Sequence, residues 1–163
     1  HGCVFVELNS SAAEADFSSA AITGTGSITA AGVGTTTLNA ANSYSGGTTV
    51  NAGADLRING AQTGVGTVTV AATGKLGGSG SVIGGINVSG ILAPGNSIES
   101  LGSGSLNFIT GSTYAYELNT AALNGDLAYS SGTLDIAAGS ILTFPLVRKH
   151  QEQNSVHTRI VFC

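Results

Sequence analysis

The chain has no tryptophan and no methionine, and its 163 residues include only two prolines and two cysteines. Charged residues make up 9% of it and aromatic residues 6%. Disordered chains are usually rich in charge and poor in apolar residues, whereas 42% of this chain is hydrophobic. We therefore expect a folded chain, with enough apolar residues for a narrow core if they are aligned.

The scarcity of charge also limits function. Nine acidic residues outnumber five basic ones, which gives a formal net charge of -4, and no basic cluster lies in the glycine-rich body. Nucleic-acid binding requires lysines and arginines that neutralise phosphates, so this class is excluded. No window of about 18 to 20 uncharged apolar residues is present, and we expect no transmembrane segment. The start, HGCVFVEL, lacks the features of a signal peptide, and we expect an internal fragment.

Glycine, in contrast, is abundant, with 25 residues. Between Ile22 and Phe144, glycine turns alternate with short segments rich in Val, Ile and Thr. One phrase recurs, in which an apolar residue, a turn of small residues and a second apolar residue follow each other over seven positions. Its copies span residues 38–44, 50–56, 70–76, 108–114 and 136–142, with a shortened copy at 88–92. From Val50 onward the copies begin 20, 18, 20 and 28 residues apart, so the last interval contains an insertion.

Such a period indicates stacked repeats. Alternation places Val68 and Val70 on one face of a strand and Thr67 and Thr69 on the other. Because one coil cannot bury its apolar residues alone, each must stack on the next with parallel strands. The sequence predicts an all-β, single-stranded parallel β-helix with coils of about 18–20 residues. A β-sandwich is the second choice, since its hairpins do not require one recurring phrase.

The phrase predicts a division of the chain into three parts. Residues 22–144 form the β-helix body, residues 1–21 an N-terminal cap or residual coil, and residues 145–163 a tail outside the repeat. Because Cys3 and Cys163 lie at opposite ends of a linear stack, we expect unpaired thiols. Two cysteines and three scattered histidines show no ligand spacing, so no metal or other cofactor is predicted.

Two stretches, NSYSGGTTVNAGADL at 42–56 and GTVTVAATGKLGGSGSVIGGINVSGILAPGNSIESL at 66–101, resemble the passenger-associated repeat of bacterial autotransporters. The similarity extends over residues 22–144. The residues that carry it, to which we assign a structural role, are Asn42, Tyr44, Gly46, Gly47, Thr48, Thr49, Val50, Gly53, Leu56, Leu92, Pro94, Gly95 and Asn96.

This resemblance implies a right-handed β-helical passenger that is secreted or displayed on the surface of a Gram-negative-type bacterium. It implies a C-terminal translocator barrel in the parent protein as a partner, which this chain does not contain. The function it implies is a non-catalytic structural and export-folding segment, which extends to a place in an adhesin that binds an unknown surface or host ligand.

Two alternatives remain. Some parallel β-helices are lyases or glycosidases, which require converging carboxylates; the candidates are Glu117, Asp126 and Asp135, with Asp55 and Arg57 on another strand. We interpret all five as surface charges and predict no catalytic residue, since the body also lacks histidine and a G-x-S-x-G elbow.

The second alternative is an ice- or ligand-binding solenoid. Rows of threonine such as Thr48, Thr49, Thr67 and Thr69 suit it, but a regular T-x-T motif in every coil is missing. We therefore interpret threonine as a residue that suits half-exposed strands. Asn39, Asn51 and Asn59 are expected to cap turns or stack, and Tyr44 and Tyr114 are expected to lie in the core.

Overall fold

The computed structural model describes residues 5–9, 15–16, 20–119 and 124–143. Within these ranges the regular structure consists of β-strands, and no helix occurs. The strands are β1 (Phe5–Asn9), β2 (Ala15–Asp16), β3 (Ser27–Ala31), β4 (Thr35–Leu38), β5 (Thr48–Val50), β6 (Asp55–Ile58), β7 (Ala61–Gln62), β8 (Val68–Val70), β9 (Lys75–Gly78), β10 (Ser81–Val88), β11 (Ile91–Pro94), β12 (Ser100–Phe108), β13 (Thr113–Ala115), β14 (Leu118–Asn119), β15 (Asn124–Gly125), β16 (Leu127–Ser130), β17 (Leu134–Ile136) and β18 (Ile141–Thr143).

Two long sheets run along the molecule. Sheet A follows the order β1-β3-β5-β8-β10-β12-β16, with β17 also paired to β12 and β7 to β10. Sheet B follows the order β18-β13-β11-β9-β6-β4-β2. The pairings in both sheets are parallel, and the short pair β14 and β15 is antiparallel. The chain is therefore a parallel β-solenoid of about 5 turns, which confirms the predicted fold class.

The register of the strands aligns the copies of the repeated phrase from Val50 onward. Their first residues form one row in sheet A and their last residues one row in sheet B. The rows are Val50, Val70, Val88, Phe108, Ile136 and Leu56, Leu76, Leu92, Tyr114, Leu142. The predicted equivalence of these five copies is confirmed, including the shortened one.

The predicted first copy, at residues 38–44, is wrong. Leu38 pairs with Ile58, whereas the partner of Val50 is Ala30 and the partner of Leu56 is Thr36. The true equivalent is therefore residues 30–36, eight positions earlier. In that coil the two interior positions hold alanine and threonine, both at most 1% exposed, so no large apolar residue marks them in the sequence.

A third side closes each coil between sheet B and the next strand of sheet A. It contains the bridge from Asn42 to Gln62, the pairing of Gln62 with Val82 and the pairing of Val82 with Ser103. Alternate residues of each strand point into the interior of the solenoid and fill it. Val50, Val68, Val70, Leu76, Val88 and Leu92 are fully buried there.

Glycine permits the close approach of successive coils at one corner. A Cβ on Gly46 would overlap the carbonyl group of Gly26, and a Cβ on Gly66 would overlap the carbonyl group of Gly46. Gly84 and Gly132 have the same relation to the coils before them. A column of glycines is therefore required along this corner for steric reasons, without any positive φ angle.

Candidate functional site

The first part of the repeat motif lies in the interior. Tyr44 is 1% exposed, and its hydroxyl shares a hydrogen bond of 2.6 Å with Oγ1 of Thr48. Burial raises the pKa of Tyr44, against the opposing effect of the Thr48 hydrogen bond. Asn42 is also 1% exposed; its Oδ1 accepts from the amide of Ile22 at 2.9 Å, and its Nδ2 donates to the carbonyl of Ala40 at 3.0 Å. Asn42 therefore ties its coil to the preceding one, whereas the bond between Tyr44 and Thr48 lies within a single coil.

The following motif residues form the corner, the strand and the next turn. Gly46 belongs to the glycine column, whereas Gly47 is exposed. Thr49 points outward between the buried Thr48 and Val50. Gly53 adopts φ +78, which turns the chain from sheet A into sheet B, where Leu56 is fully buried. None of these side chains converges with a second polar group into a cleft in the described structure.

The segment LAPGNS is different, because it reaches back over earlier coils. Leu92 and Pro94 point inward from β11, and Gly95 has φ +82. Nδ2 of Asn96 then donates to Oδ1 of Asn59 at 3.1 Å, and Oδ1 of Asn96 accepts from Nη1 of Arg57, also at 3.1 Å. This turn therefore joins residues 37 and 39 positions apart in the sequence.

Two of the three carboxylates that the enzyme alternative requires are close together. Asp126 is 4% exposed, and its Oδ2 accepts from the amide of Glu117 at 3.0 Å, while its Oδ1 accepts from the amide of Glu99 at 3.3 Å. Burial raises the pKa of Asp126, partly offset by these hydrogen bonds. Asp135, in contrast, lies exposed on β17 of sheet A, opposite Asn107. The three carboxylates therefore do not converge.

Asp55 and Arg57 both point outward from β6 but have different partners. Oδ2 of Asp55 lies 3.1 Å from Nζ of Lys75 on the next coil, and Oδ1 of Asp55 is buried without a hydrogen-bond partner. Arg57 bonds Asn96, as described above. The recorded partner of Asp55 is therefore Lys75 on the next coil, and that of Arg57 is Asn96 in the turn after β11.

A groove does lie on the outer surface of sheet B, with a volume of about 310 Å³. Its floor consists of Gly77, Ala93 and Ala115. Its lining also includes Arg57, Lys75, Asn96, Tyr116, Glu117 and Asp126. Sequence reasoning missed this groove, although the in-register spacing of small residues and the insertion after position 115 could have indicated a floor and a wall.

Aromatic contacts support the wall that the insertion provides. Tyr114 packs edge-on against Phe108 with ring centroids 6.0 Å apart, and the ring of Tyr116 lies 6.3 Å from that of Tyr114. The hydroxyl of Tyr114 accepts from the amide of Ala128 at 3.1 Å, and burial raises its pKa to about 12. Tyr114 is partly buried and packs against the core rather than lying inside it, so the expected core position is only partly met.

The threonines form a short outward row on sheet A. Thr29, Thr49 and Thr69 lie in register and are followed by Asn87 and Asn107. A second row two residues earlier contains Thr67, with glycine at the equivalent positions 47 and 85. Only one of these coils therefore presents T-x-T. Directly after β4 and β6, Nδ2 of Asn59 donates to Oδ1 of Asn39 at 2.8 Å, so these two asparagines stack.

Comparison with protein families identifies one repeat. The family model described as Passenger-associated-transport-repeat matches residues 28–54, which run from β3 through β5 to the turn before β6. The repeat and the β-solenoid together fit an autotransporter passenger repeat. No curated protein matches the chain.

In the described ranges, no group of three or more His, Cys, Asp and Glu residues could hold a metal ion. No helix in those ranges is long and apolar enough to cross a membrane. Cys3, Cys163 and the tail at 145–163 lie outside the described residues, so the expectations for them stay predictions.

Proposed function

We propose that this chain is a non-catalytic structural segment of an autotransporter passenger, which folds outside the cell by stacking one coil on another. The observation that carries the proposal is the position of the passenger repeat. Residues 28–54 form a complete coil, and both of its sheets continue in register into the following coils. The β-solenoid therefore extends well beyond the matched repeat, as we expect of a passenger segment.

The stacking supplies a physical mechanism for folding after export. Each coil gains its buried surface and its hydrogen bonds from the coil beside it, as in repeat proteins generally. Successive backbone bonds, for example from Thr48 N to Thr67 O at 2.9 Å, run along the axis of the rod. A chain that emerges gradually can therefore add one coil at a time to a folded template, without waiting for distant segments.

The proposed location is the cell surface or the medium of a Gram-negative-type bacterium, and the proposed partner is the translocator barrel of the parent protein. A place in an adhesin with a surface or host ligand is the finer form of the proposal. The non-catalytic role is supported by the separation of Asp135 from Asp126, and by the two amide hydrogen bonds that the Asp126 carboxylate already accepts.

Surface display tests the proposal. The chain is placed between an export signal and an autotransporter translocator in a Gram-negative host, and intact cells are probed with antibody and protease. We expect antibody binding and a protease-resistant fragment. A chain that stays inside the cell, while a known passenger in the same fusion is displayed, would contradict the export role.

A matched pair of variants links display to coil stacking. Gly66→Val introduces a side chain against the carbonyl of Gly46, whereas the nearest atom to a Cβ at Gly47 lies at 3.2 Å. We expect Gly66→Val to remove the protease-resistant fragment and Gly47→Ala to preserve it. Equal protease resistance of both variants would contradict folding by stacking.

The enzyme alternative has a direct assay. The purified chain is incubated with neutral and acidic polysaccharides, and new reducing ends and unsaturated products are measured. We expect none above the level of the Asp126→Ala variant. Product release that Asp126→Ala abolishes would overturn the non-catalytic assignment.

A further inference from the structure

The chain contains two Asn-Gly steps, at residues 59–60 and 124–125. Asparagine is least stable before glycine, because glycine has no side chain that hinders its own backbone nitrogen. This nitrogen attacks Cγ of the asparagine; the N–Cγ bond forms, the Cγ–Nδ2 bond breaks, and ammonia leaves with the amide proton. Water then opens the resulting succinimide at either carbonyl, which gives aspartate or isoaspartate. Because the reaction needs only water, its rate in a folded chain depends on how firmly each step is held.

The side chain of Asn59 is held by three hydrogen bonds. Its Nδ2 donates to Oδ1 of Asn39 at 2.8 Å. Its Oδ1 accepts from Nδ2 of Asn96 at 3.1 Å and from the amide of Ser79 at 3.3 Å. Cγ of Asn59 has to rotate towards the backbone nitrogen of the next residue before the ring closes, and this rotation breaks these bonds.

The backbone of this first step is also packed between neighbouring coils. The amide of Gly60, which is the attacking group, donates to the carbonyl of Leu38 at 3.1 Å. A Cβ on Gly60 would overlap the carbonyl of Ala40, and a Cβ on Gly80 would overlap the carbonyl of Gly60. Gly60 therefore contacts a coil on either side, and ring closure at Asn59 would require these coils to separate.

The second step lies in the insertion, outside the two long sheets. Strand β15 consists of Asn124 and Gly125 and pairs with the two residues of β14. Next to this pair, the amide of Asp126 donates to the carbonyl of Glu117 at 2.9 Å. Hydrogen-bonded and non-hydrogen-bonded pairs alternate along an antiparallel ladder, so Gly125 and Leu118 form a non-hydrogen-bonded pair. The attacking N–H of Gly125 therefore points away from β14.

The side chain of Asn124 is exposed. Among the described residues, no hydrogen-bond partner holds its amide group. A two-stranded ladder of this length contributes little stability by itself, and such segments open locally at a low free-energy cost. Rotation of Asn124 into the reactive geometry therefore disturbs one short ladder rather than two packed coils.

We propose that Asn124 is a site of spontaneous deamidation in the folded chain, and that the neighbouring coils protect Asn59 from the same reaction. Conversion adds a carboxylate two residues before Asp126. The isoaspartyl product also adds one carbon to the backbone of β15, which disturbs its pairing with β14. The modified insertion is therefore more acidic and less regular. The proposal requires only the folded chain and water, so it is independent of export.

The experiment follows both asparagines in the full chain at mildly alkaline pH, where the attacking nitrogen loses its proton more readily. Peptide mapping by mass spectrometry measures conversion in the native chain and in a chain kept unfolded in urea. We expect native Asn124 to convert at least about tenfold faster than native Asn59, since several hydrogen bonds have to break first at Asn59. In urea the two rates should become similar. Conversion of native Asn124 no faster than that of native Asn59 would overturn the proposal, and so would a difference of the same size in urea.

A substitution at the reactive residue identifies the site. Asn124→Gln should remove the rapid conversion, because the longer glutamine side chain closes the corresponding ring far more slowly. Gly125 is kept, since a Cβ there would overlap the hydroxyl of Tyr116. Anion-exchange chromatography should show a more acidic form that grows in the native chain and grows far more slowly in Asn124→Gln. Growth at the same rate in both would place the reactive residue elsewhere and overturn the proposal.

A second variant tests the protection of Asn59. Asn39→Ala combined with Asn96→Ala removes two of the hydrogen bonds of the Asn59 side chain. We expect Asn59 to convert several-fold faster in this variant, with circular dichroism confirming that it is folded. Asn107→Ala, which removes a bond to Asn87 on sheet A, is the matched control and should change neither rate. An unchanged rate at Asn59 in the folded double variant would overturn the protection; if the double variant is unfolded, the comparison with urea decides.

Discussion

The central coils and the last described coil differ in burial although they repeat the same pattern. Val50, Val70 and Val88 occupy one interior row of sheet A and are completely buried. Ile136 continues this row after Phe108 but is 47% exposed. Among the described coils, the same interior position is therefore closed to solvent in the centre and partly open to solvent in the last described coil. Burial in this solenoid is a property of neighbouring coils and cannot be assigned to one coil alone.

The two regions also differ in how regular they are. The central interval from Val50 to Val70 has 20 residues, whereas the interval from Phe108 to Ile136 has 28. The additional residues leave sheet B after β13 and return through β14 and β15 to supply the charged wall of the groove. Regular coils thus make the rod, and the irregular coil makes the feature that resembles a binding site.

The glycine column offers the strongest way to break the central coils. Gly46→Ala would place a Cβ against the carbonyl of Gly26, and two packed coils would have to separate. We expect a loss of about 3 kcal/mol in the free energy of unfolding, measured by urea denaturation. Gly47→Ala, its neighbour in the motif, should cost less than about 1 kcal/mol. Similar losses for the two variants would contradict the steric role of the column.

Truncation within one interior row tests the difference in burial directly. Val70→Ala removes two methyl groups from a closed interior and should cost about 2 kcal/mol in the free energy of unfolding. Ile136→Ala removes a larger side chain but should cost below about 1 kcal/mol, because that site is already open to water. Thermal or urea unfolding gives the comparison. A larger effect at Ile136 would show that the last coil is covered in solution.

The regular part of the fold was predictable because its spacing is repeated in the sequence. Five copies from Val50 onward were matched correctly, since each begins and ends with an apolar or aromatic residue. The coil before them was shifted by eight residues because Ala30 and Thr36 occupy its interior positions. A small or polar residue fits there, and the backbone register, rather than side-chain hydrophobicity, defines the coil.

The groove was not predictable in the same way. Arg57 and Asn96 are 39 residues apart, and they meet because the turn after β11 folds back across the coil between them. Gly77 and Gly78 in that coil leave room for this crossing; the amide of Gly95 donates to the carbonyl of Gly78 at 2.8 Å. The sequence grouped Glu117, Asp126 and Asp135 around the insertion, and only the three-dimensional path shows that Asp135 lies apart from the other two.

The polar row on the third side of the coils gives a comparison within the central region. Asn42→Leu would leave the amide of Ile22 without its bond to Oδ1, and we expect a loss of about 1.5 kcal/mol in unfolding free energy. Gln62→Leu loses only the bond from Nε2 to the carbonyl of Tyr44, and it removes a buried Oε1 that has no partner. It should be nearly neutral. Equal losses in urea denaturation would show that Oε1 is satisfied in solution.

Thr73 has an unusual backbone conformation within the central coils. It adopts φ 66, whereas Gly53, Gly111 and Gly139 provide the positive φ in the turns of other coils. A β-branched residue in this left-handed conformation costs about 1 to 2 kcal/mol of strain. Glycine removes this strain, but part of the gain is lost because glycine increases the conformational entropy of the unfolded chain. Thr73→Gly should therefore raise the unfolding free energy by up to about 1 kcal/mol. Thr69→Gly, in a strand, should lower it by a similar amount, and stabilisation by both variants would contradict the argument.

The smallest expected effect is a pH dependence confined to the irregular coil. Burial raises the pKa of Asp126 above 3.8, its usual value, so the folded chain holds this proton more firmly than the unfolded chain does. The stability that this proton contributes is complete below pH 3.8 and is lost as the pH rises through the raised pKa. Glu99 and Glu117 act in the same direction, because their negative charges oppose ionisation of Asp126.

Thermal unfolding of the native chain and of Asp126→Asn, measured at each pH, isolates this contribution. The difference in midpoint, native minus variant, should become less favourable as the pH rises from 3.8 through the raised pKa of Asp126 and should then level off. Asp135→Asn, at an exposed position of β17, makes the same change of side chain outside the wall and serves as the matched control. A difference that grows more favourable with pH would mean that the hydrogen bonds from Glu99 and Glu117 outweigh the burial of Asp126. In that case the charged wall of the last coil is stabilised mainly by hydrogen bonds, as the central coils are.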